Sequence, residues 1–418
     1  MRKAVSIPLV LMVFAGGSAR ADVVTDWNLI TVQTINALTP ASHLRPGPTS
    51  ILDLATVHVA MHDAIQAFEH RYESYAPPIP AATGSPIAAA AKAAHDVLVA
   101  RTLDQGPAFA TALDNTLSGY LGPLGLLADP GILVGQEAAS RVLALRGTIG
   151  TYPYPSELFN GRIEIGQWRP TPPAFATMAA PWLGDVPPFA LKASDQLAGS
   201  PPPPHLGSGE YARDYDEVKT LGRLNSTART QDQTDLALFY SDNFTTLWER
   251  TLRLLAAAQG TDLGDSGRMF ALAHIAAADA VITAWHEKRF WNFWRPITAI
   301  REGDDDGNRR TDGDPTWTPQ ITTPAYPEYT SGANNLTGSM TRVLKHLFGD
   351  KTEFHVTSTT IAAPKNDKIY QRFSDMADDV VDVRVYQGIH FRGADEVARR
   401  QGTRSADWAV SHVLRPTN

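Results

Sequence analysis

Small and apolar residues recur at helical spacing through most of this sequence. Strand patterns with alternating polar and apolar residues are few and short. A period near 3.6 residues places the apolar side chains on one face of each helix, which then packs against other helices. The sequence therefore predicts an all-α fold of helical-bundle architecture. The predicted helices cover residues 51–68, 87–103, 111–121, 135–145, 210–221, 230–258, 266–294, 332–348, 365–386 and 394–413.

Two of these helices have clear end signals. Thr230 and Gln233 have the spacing of a capping box, which predicts the start of a long helix ending near Ala258. Pro296 ends the helix that begins near Ser266, because the residue before a proline is disfavoured in the α conformation.

The segment 152–204 interrupts the helical pattern. It contains 12 of the 30 prolines, and large aromatic side chains lie between them. Proline lacks an amide donor and is excluded from helix interiors, so this segment is predicted to be irregular. Its aromatic residues predict that it packs onto the helices as a strap. These residues include Trp168, Phe175, Trp182 and Phe189.

Charge and cysteine content exclude several function classes. The 418 residues carry a formal net charge of -7, so no overall basic field attracts nucleic acid or an anionic membrane surface. The absence of cysteine excludes disulfides, zinc thiolate sites, iron–sulfur clusters and cysteine nucleophiles. Any anion-binding site must therefore be local.

The first 21 residues have the pattern of a secretory signal peptide. Arg2 and Lys3 precede an apolar stretch over 4–15, and Ala19 and Ala21 give a small-x-small cleavage pattern. We therefore expect an exported protein, periplasmic or secreted, with no integral membrane span in the mature chain.

The remainder of the chain is predicted to form a single helical domain, since no clean linker divides it. The expected divisions are a signal peptide over 1–21 and a domain over 22–418, with N-terminal helices over 22–150, the irregular strap over 151–204 and a C-terminal helical half over 205–418.

The first of three candidate functional segments contains Lys288 and Arg295. They are seven residues apart, or about two turns if the helix continues, so both cations would leave the same face. Two long cationic side chains can then converge on one small anion. The alternative is an ordinary cationic helix end, where positive charge suits the helix dipole.

The second segment contains Ser331 and Gly332, directly before an apolar helical pattern. A hydroxyl beside a glycine lets an oxyanion approach free backbone amides at the positive end of the helix dipole. The same residues would also suit a helix start with no ligand.

The third segment contains Arg384, Gly388 and His390. Six residues would place the arginine and histidine on different faces of a continuous helix. A glycine in the left-handed conformation at Gly388 would end the helix between them and bring both into one site. Together the three segments offer cations, a hydroxyl, a helix N-terminus and an imidazole, which suits a small oxyanion with several negative charges.

The order of these motifs resembles the vanadium-dependent haloperoxidases and the type 2 phosphatidic acid phosphatases that share their pocket. The motifs are Lys288-x6-Arg295-Pro, then Ser331-Gly332, then Arg384-x3-Gly-x-His390. The flanking residues 292–301, 326–329 and 384–391 resemble the bacterial haloperoxidases more than the short membrane phosphatases.

The resemblance implies a helical bundle of the haloperoxidase type with vanadate as cofactor. His390 would bind vanadium through a ring nitrogen. Peroxide would replace oxygen ligands of the metal, and Lys288 would polarise the bound peroxide. A halide would then attack this peroxide to give hypohalous acid. The vanadate oxygens would be held by Lys288, Arg295, Arg384, the Ser331 hydroxyl and the Gly332 amide.

One residue departs from the family pattern, in which a histidine follows Ser-Gly. This chain has Ala333 there, so the acid–base group of the family is missing. Loss of such a group typically costs about 10²- to 10⁴-fold in rate. Oxyanion binding should survive the change. Candidates to replace the histidine are His286, Glu328 and Lys288.

Two other functions stay open. One is an acid phosphatase in which His390 attacks phosphorus and becomes phosphorylated, since phosphate and vanadate share geometry. The other is a non-catalytic relative that only binds oxyanions. The expected small-molecule partners are accordingly hydrogen peroxide and halide, or a phosphoester, while a homodimer also remains open.

A further histidine pair is a candidate metal site. His58 and His62 are four residues apart on a predicted helix, next to Asp63. No third ligand has a convincing spacing, so buried, hydrogen-bonded histidines are the favoured interpretation.

Overall fold

The computed structural model describes residues 22–38, 47–148, 158–198 and 201–417. Within these residues the secondary structure is almost entirely helical, with a single two-stranded sheet, which confirms the all-α prediction. The helices are α1 (Val23–Ala37), α2 (Ser50–Glu69), α3 (Pro86–Arg101), α4 (Pro107–Leu121), α5 (Gly131–Arg146), α6 (Gly209–Leu221), α7 (Gln231–Phe239), α8 (Phe244–Gln259), α9 (Leu263–Trp291), α10 (Pro296–Arg301), α11 (Gly332–Phe348), α12 (Phe373–Tyr386) and α13 (Arg392–His412), and the strands are β1 (Phe354–Thr357) and β2 (Asp367–Tyr370). The signal-peptide pattern over 1–21 lies outside the described residues.

The central helix of the bundle is α9, which packs against α2, α11 and α13. Among the described helices, it alone has the length and hydropathy of a membrane span, but 94% of its most apolar window is buried by the rest of the protein. A helix that is apolar on all sides suits the centre of a large core equally well. Its last turn carries Lys288 into the interior.

The predicted helix over 230–258 is two helices, α7 and α8, so that prediction was wrong. The capping box at Thr230 is present and opens α7, which ends at Phe239. Asn243 then accepts a hydrogen bond from the amide of Thr246 and caps α8. A second capping residue allows the chain to turn and restart, which apolar spacing alone does not reveal.

The start of the predicted helix over 365–386 is also wrong. Residues Asp367–Tyr370 form β2, which pairs antiparallel with β1, and α12 begins only at Phe373. Tyr370 lies opposite Phe354, with their rings stacked 5.5 Å apart. This cross-strand aromatic pair favours the strand over helical continuation.

The described parts of the strap, 158–198 and 201–204, are irregular except for short helical turns. Trp168, Trp182 and Phe189 are buried against the helices as predicted, whereas Phe175 is 63% exposed. The prolines account for the irregular backbone, because each removes an amide donor. The strap is therefore part of the packed body of the protein.

The strap also holds the turn that follows α9. The Trp168 amide donates to the Asn292 carbonyl at 2.6 Å, and the Trp294 amide donates to the Gly166 carbonyl at 3.0 Å. These bonds pair the strap with the chain that leads to Arg295.

The helix predicted over 266–294 ends earlier than expected, at Trp291. Asn292 ends it in the left-handed conformation, with φ of 48°, and Arg295 is the residue before the first turn of α10. Lys288 and Arg295 therefore do not share one continuous helix face, and a turn brings them together instead. Asparagine tolerates the left-handed conformation better than most residues, so it can end a helix before a proline does.

Gly388 is predicted to be sensitive to substitution by alanine. Its φ is +76°, and a Cβ would lie 2.3 Å from the Gly222 carbonyl oxygen. Gly260 is the control, because its φ is +61° and a Cβ there would meet no atom within 4 Å. Gly260→Ala should cost about 1–2 kcal/mol for the left-handed backbone alone, and Gly388→Ala a further 1–3 kcal/mol for the clash. Urea unfolding measures both; equal losses would contradict the packing described here.

Candidate active site

Four parts of the fold meet at one buried site, hereafter the cup. They are the end of α9, the start of α10, the segment leading into α11, and the end of α12 with the turn that follows it. Each contributes at least one residue singled out from the sequence. The cup residues are Lys288, Arg295, Ser331, Gly332, Arg384 and His390.

Lys288 and Arg295 are completely buried and are held by backbone carbonyls. Lys288 Nζ donates to the carbonyls of Pro327 and Glu328 at 2.8 and 3.0 Å. Arg295 Nε donates to the Tyr326 carbonyl at 2.8 Å, and its Nη1 donates to the Ile389 carbonyl at 2.7 Å. The segment before α11 thus binds both cations, which explains how they converge without sharing a helix.

The side chain of Tyr326 is a cup contact that the sequence analysis missed as a functional candidate. Lys288 Nζ lies 5.0 Å and the Arg295 guanidinium 4.9 Å from the centre of its ring. An aromatic face attracts cations, so the ring stabilises both charges. Only the flanking resemblance around 326–329 could have pointed to it.

Arg384 completes the ring of cations. Its Nη1 donates to Gln387 Oε1 at 2.6 Å, and its guanidinium lies 5.3 Å from the centre of the Phe244 ring. Its positive charge is near enough to lower the pKa values of Lys288 and His390. The structure therefore places the segment that contains Arg384 and His390 close to the segment that contains Lys288 and Arg295.

Ser331 and Gly332 occupy the start of α11, as predicted. Ser331 takes the N-cap backbone position, yet its buried hydroxyl makes no capping bond. Gly332 and Ala333 are only half-buried, so the first turn of the helix is not fully covered. A Cβ at Gly332 would lie 3.0 Å from the Trp285 indole, which packs against this turn.

The orientation of the His390 ring follows from its two neighbours. Arg295 Nη1 lies 3.1 Å from Nε2, and Glu328 Oε1 lies 2.9 Å from Nδ1. An arginine can only donate, so Nε2 must carry the lone pair and Nδ1 the proton. Burial and the three cup cations lower the pKa of His390 well below its ordinary value, which keeps the ring neutral.

Several polar atoms of the cup have no partner among the described residues. They are buried, and each could donate a hydrogen bond. Native proteins leave few such groups unsatisfied unless a ligand completes them. These atoms are Nη2 of Arg295, Nε of Arg384 and Oγ of Ser331.

Burial sets the electrostatics of the cup. It lowers the pKa of Lys288 well below the ordinary value, with help from Arg295, and lowers that of Arg295 to about 10. The two neighbouring carboxyl groups shift the other way: burial raises the pKa of Glu328 to about 8 and that of Asp395 to about 7. Near neutral pH the carboxyls therefore offset the arginine charges only in part, and the cup favours an anion.

The three proposed substitutes for the missing histidine lie in different places. His286 stacks its ring on the exposed Phe290 and precedes Lys288 by two residues, which places it on roughly the opposite side of α9. Glu328 contacts His390 from the Nδ1 side. Lys288 is within the cup.

The histidine pair on α2 does not form a shared site. His62 Nε2 bonds to the Glu73 carbonyl, and Asp63 accepts the amides of Tyr75 and Ala76. His58 instead lies with Glu249 and His274, whose potential ligand atoms are within 4.8 Å of one another.

This second histidine group is bonded internally. Asn28 Nδ2 lies 2.9 Å from His58 Nε2 and donates to Glu249 Oε2 at 2.6 Å, while His274 Nε2 lies 2.9 Å from Glu249 Oε1. An amide N–H therefore already fills the space between His58 and Glu249. These contacts join α1, α2, α8 and α9 in the core.

Two sequence comparisons relate this chain to known proteins. Residues 268–418 match the family described as the VCPO second helical-bundle domain. A vanadium chloroperoxidase from Curvularia inaequalis is 28% identical over 209 residues, which is 42% of this chain and 34% of that protein. The chain thus aligns with about a third of this curated relative's length. Residues 268–418 are therefore similar to the second helical-bundle domain of that family.

Solved structures extend the likeness to nearly the whole fold. A bacterial vanadium-dependent iodoperoxidase has a TM-score of 0.78 at 23% identity, covering 94% of this chain and 98% of its own. A bacterial vanadium-dependent chloroperoxidase has a TM-score of 0.71 at 16% identity, covering 95% and 98%. The haloperoxidase resemblance and the helical-bundle architecture that it implied are confirmed.

Ser331→Ala should weaken oxyanion binding in the cup without weakening the fold. The hydroxyl has no hydrogen bond of normal geometry, although it is near enough to Asp395 to lower the pKa of that carboxyl group, so its loss should change the free energy of unfolding little. A hydrogen bond to a charged oxyanion contributes about 1.5–3 kcal/mol, so orthovanadate affinity should fall about tenfold or more. Equilibrium dialysis and urea unfolding measure the two quantities.

Ser339→Ala is the matched control, because its buried hydroxyl donates to the Leu336 carbonyl at 2.8 Å. It should lose about 1 kcal/mol of stability and keep its orthovanadate affinity. Equal affinities in the two variants would contradict the placement of Ser331 in the cup.

The raised pKa of Glu328 predicts a pH-dependent stability. The folded protein favours the protonated carboxyl. The stabilisation that results is complete below the ordinary pKa of 4.5 and is lost as the pH rises through about 8. The glutamine of Glu328→Gln is neutral at every pH, so this variant does not lose stability in this way. Its stability relative to the wild type should therefore increase between those pH values, measured by urea unfolding without added oxyanions. A difference that does not vary with pH would contradict the assignment.

Proposed function

We propose that this protein oxidises halide ions with hydrogen peroxide, using vanadate bound at His390 as its cofactor. The observation that carries the proposal is a buried ring of cations with unpartnered donors around one neutral imidazole whose Nε2 carries the lone pair. This donor set fits a small, multiply charged oxyanion, since buried anions require charged and hydrogen-bonding partners.

Each cup residue has a role consistent with its contacts. Lys288, Arg295 and Arg384 would neutralise the oxyanion, and the Ser331 hydroxyl and Gly332 amide would donate hydrogen bonds to its oxygens. The lone pair on His390 Nε2 would be the protein ligand of the metal. When bound, vanadate would supply a Lewis acid that holds and polarises hydrogen peroxide at constant oxidation state.

The overall reaction consumes a proton, because hydrogen peroxide, a halide ion and one proton give hypohalous acid and water. The methyl group of Ala333 cannot deliver that proton. We therefore expect slow turnover, with vanadate binding retained. The relatives described as an iodoperoxidase and a chloroperoxidase support peroxidase chemistry, and assays with both iodide and chloride would establish the halide preference.

A phosphatase reaction uses the same cup but a different role for the imidazole. His390 Nε2 has the lone pair that a nucleophile needs, which supports this second candidate. Release of the alcohol also needs a proton donor, which Ala333 does not provide. Trapping of phosphohistidine with a model phosphoester would favour the phosphatase over the peroxidase.

We also infer that the protein is exported to the periplasm or secreted. The signal-peptide pattern over 1–21 supports this inference. Mass spectrometry of the N-terminus after expression in a bacterial host tests it: an exported chain beginning near Asp22 is expected, and an unprocessed chain with Met1 that stays in the cytoplasmic fraction would contradict it.

Ala333→His should increase halide oxidation by at least about an order of magnitude, because it restores an acid–base group. The assay follows oxidation of iodide or bromide at saturating orthovanadate, and His390→Ala should abolish both activity and orthovanadate retention. The exposed His412 provides a control, so His412→Ala should change neither. Binding of orthovanadate without turnover in wild type and Ala333→His alike would favour a non-catalytic oxyanion-binding protein.

A further inference from the structure

We propose that Glu328 is the positioning residue for His390, and that one oxygen of its carboxyl group fixes the ring orientation and tautomer needed to bind the oxyanion's central atom. This inference rests on the proposed function, since it concerns the same cup. It assigns Glu328 a role behind the imidazole rather than the acid–base role considered from the sequence.

The first observation is the double use of Glu328 Oε1. This atom lies 2.9 Å from His390 Nδ1 and accepts the Phe391 amide at 3.0 Å. Both donors belong to consecutive residues, so one oxygen holds the ring and the backbone that carries it. An acceptor at this place requires the proton on Nδ1.

The second observation is on the other side of the ring. Arg295 Nη1 faces Nε2 at 3.1 Å, and the same guanidinium is anchored by the carbonyls of Ile389 and Tyr326. An anchored donor on one side and an anchored acceptor on the other leave a single neutral tautomer that satisfies both contacts. Histidines that bind metals commonly donate their second N–H to a carboxylate in this way.

The backbone of Glu328 links the same residue to the rest of the cup. Its carbonyl accepts Lys288 Nζ at 3.0 Å, and its amide donates to the Phe293 carbonyl at 3.0 Å. One residue thereby sets the position of His390, of Lys288 and of the turn that leads to Arg295. A shift of this segment would displace the cations and the imidazole together.

Complete burial argues against direct proton exchange between Glu328 and a substrate. The side chain is 0% exposed, and Oε1 is already engaged by two donors. The His390 imidazole contacts this Oε1 atom and is itself only 1% exposed. The hydrogen bonds of the Glu328 side chain therefore place it behind His390, as expected for a positioning residue.

The test compares Glu328→Gln, which keeps an acceptor oxygen, with Glu328→Leu, which removes it. Both donors face the same atom, so the glutamine oxygen should take that place and preserve the ring orientation. The matched control is Glu287→Gln, because Glu287 is also a buried carboxyl group on α9 but bonds to Trp291 and Gln401. Circular dichroism verifies that each variant is folded.

Two readouts are measured on the full chain. Nitrogen-15 NMR of labelled histidine should show His390 protonated at Nδ1 in the wild type, Glu328→Gln and Glu287→Gln, and a changed tautomer population in Glu328→Leu. Orthovanadate affinity, from vanadium-51 NMR titration, should fall about 10- to 100-fold in Glu328→Leu and by less than about threefold in the other two variants.

The tautomer readout does not depend on vanadate. A wild-type protein with His390 protonated at Nε2 would overturn the proposal even if Glu328→Leu failed to fold. An unchanged tautomer and unchanged affinity in folded Glu328→Leu would overturn it as well, and so would an equal affinity loss in Glu328→Gln. A wild type that keeps the Nδ1 proton but does not bind orthovanadate would support the positioning role and refute the proposed function.

Discussion

Three basic side chains buried around one imidazole are the constraint on which the rest of this structure depends. Removing such charges from water is costly, and the cost exceeds their attraction to neighbours unless nearly every donor is paired. Backbone carbonyls of Pro327 and Glu328 receive Lys288, and those of Tyr326 and Ile389 receive Arg295. The fold is organised to supply these acceptors at the correct places.

The need for these carbonyl acceptors explains the irregular parts of the chain. Carbonyl groups inside a helix are already used by the helix, so the cations need non-helical backbone beside them. The turn after α9 and the segment before α11 provide it, and the strap holds the turn through the Trp168 and Trp294 amides. The described part of the proline-rich strap thus contributes indirectly to the position of Arg295. The donors that remain unpartnered give the cup its affinity for an anion.

The sequence predicted much of the bundle and the identity of the cup residues, because helical spacing and the ordered motifs are local signals. It failed where the structure depends on contacts between distant segments. Lys288 and Arg295 were expected to converge along one helix, but Asn292 ends that helix and the strap redirects the chain. The strand at Asp367–Tyr370 depends on a partner over ten residues away, which helical spacing cannot reveal.

The role of Glu328 shows the same limit. Its type and position made it a candidate for acid–base chemistry, but only the fold places its Oε1 against Nδ1 of His390. Ala333 could be recognised from the motif alone, since the residue type there decides which protons are available. The sequence therefore predicted which residues are at the site, but it did not predict how their side chains are oriented.

A crystal structure of the protein soaked with orthovanadate tests the central claim most directly. The account predicts one vanadium centre bonded to His390 Nε2, with oxygens within hydrogen-bonding distance of Arg295 Nη2, Arg384 Nε and Ser331 Oγ. Orthovanadate bound elsewhere with these three donors still unpartnered, or a cup that stays empty at saturating orthovanadate, would contradict it.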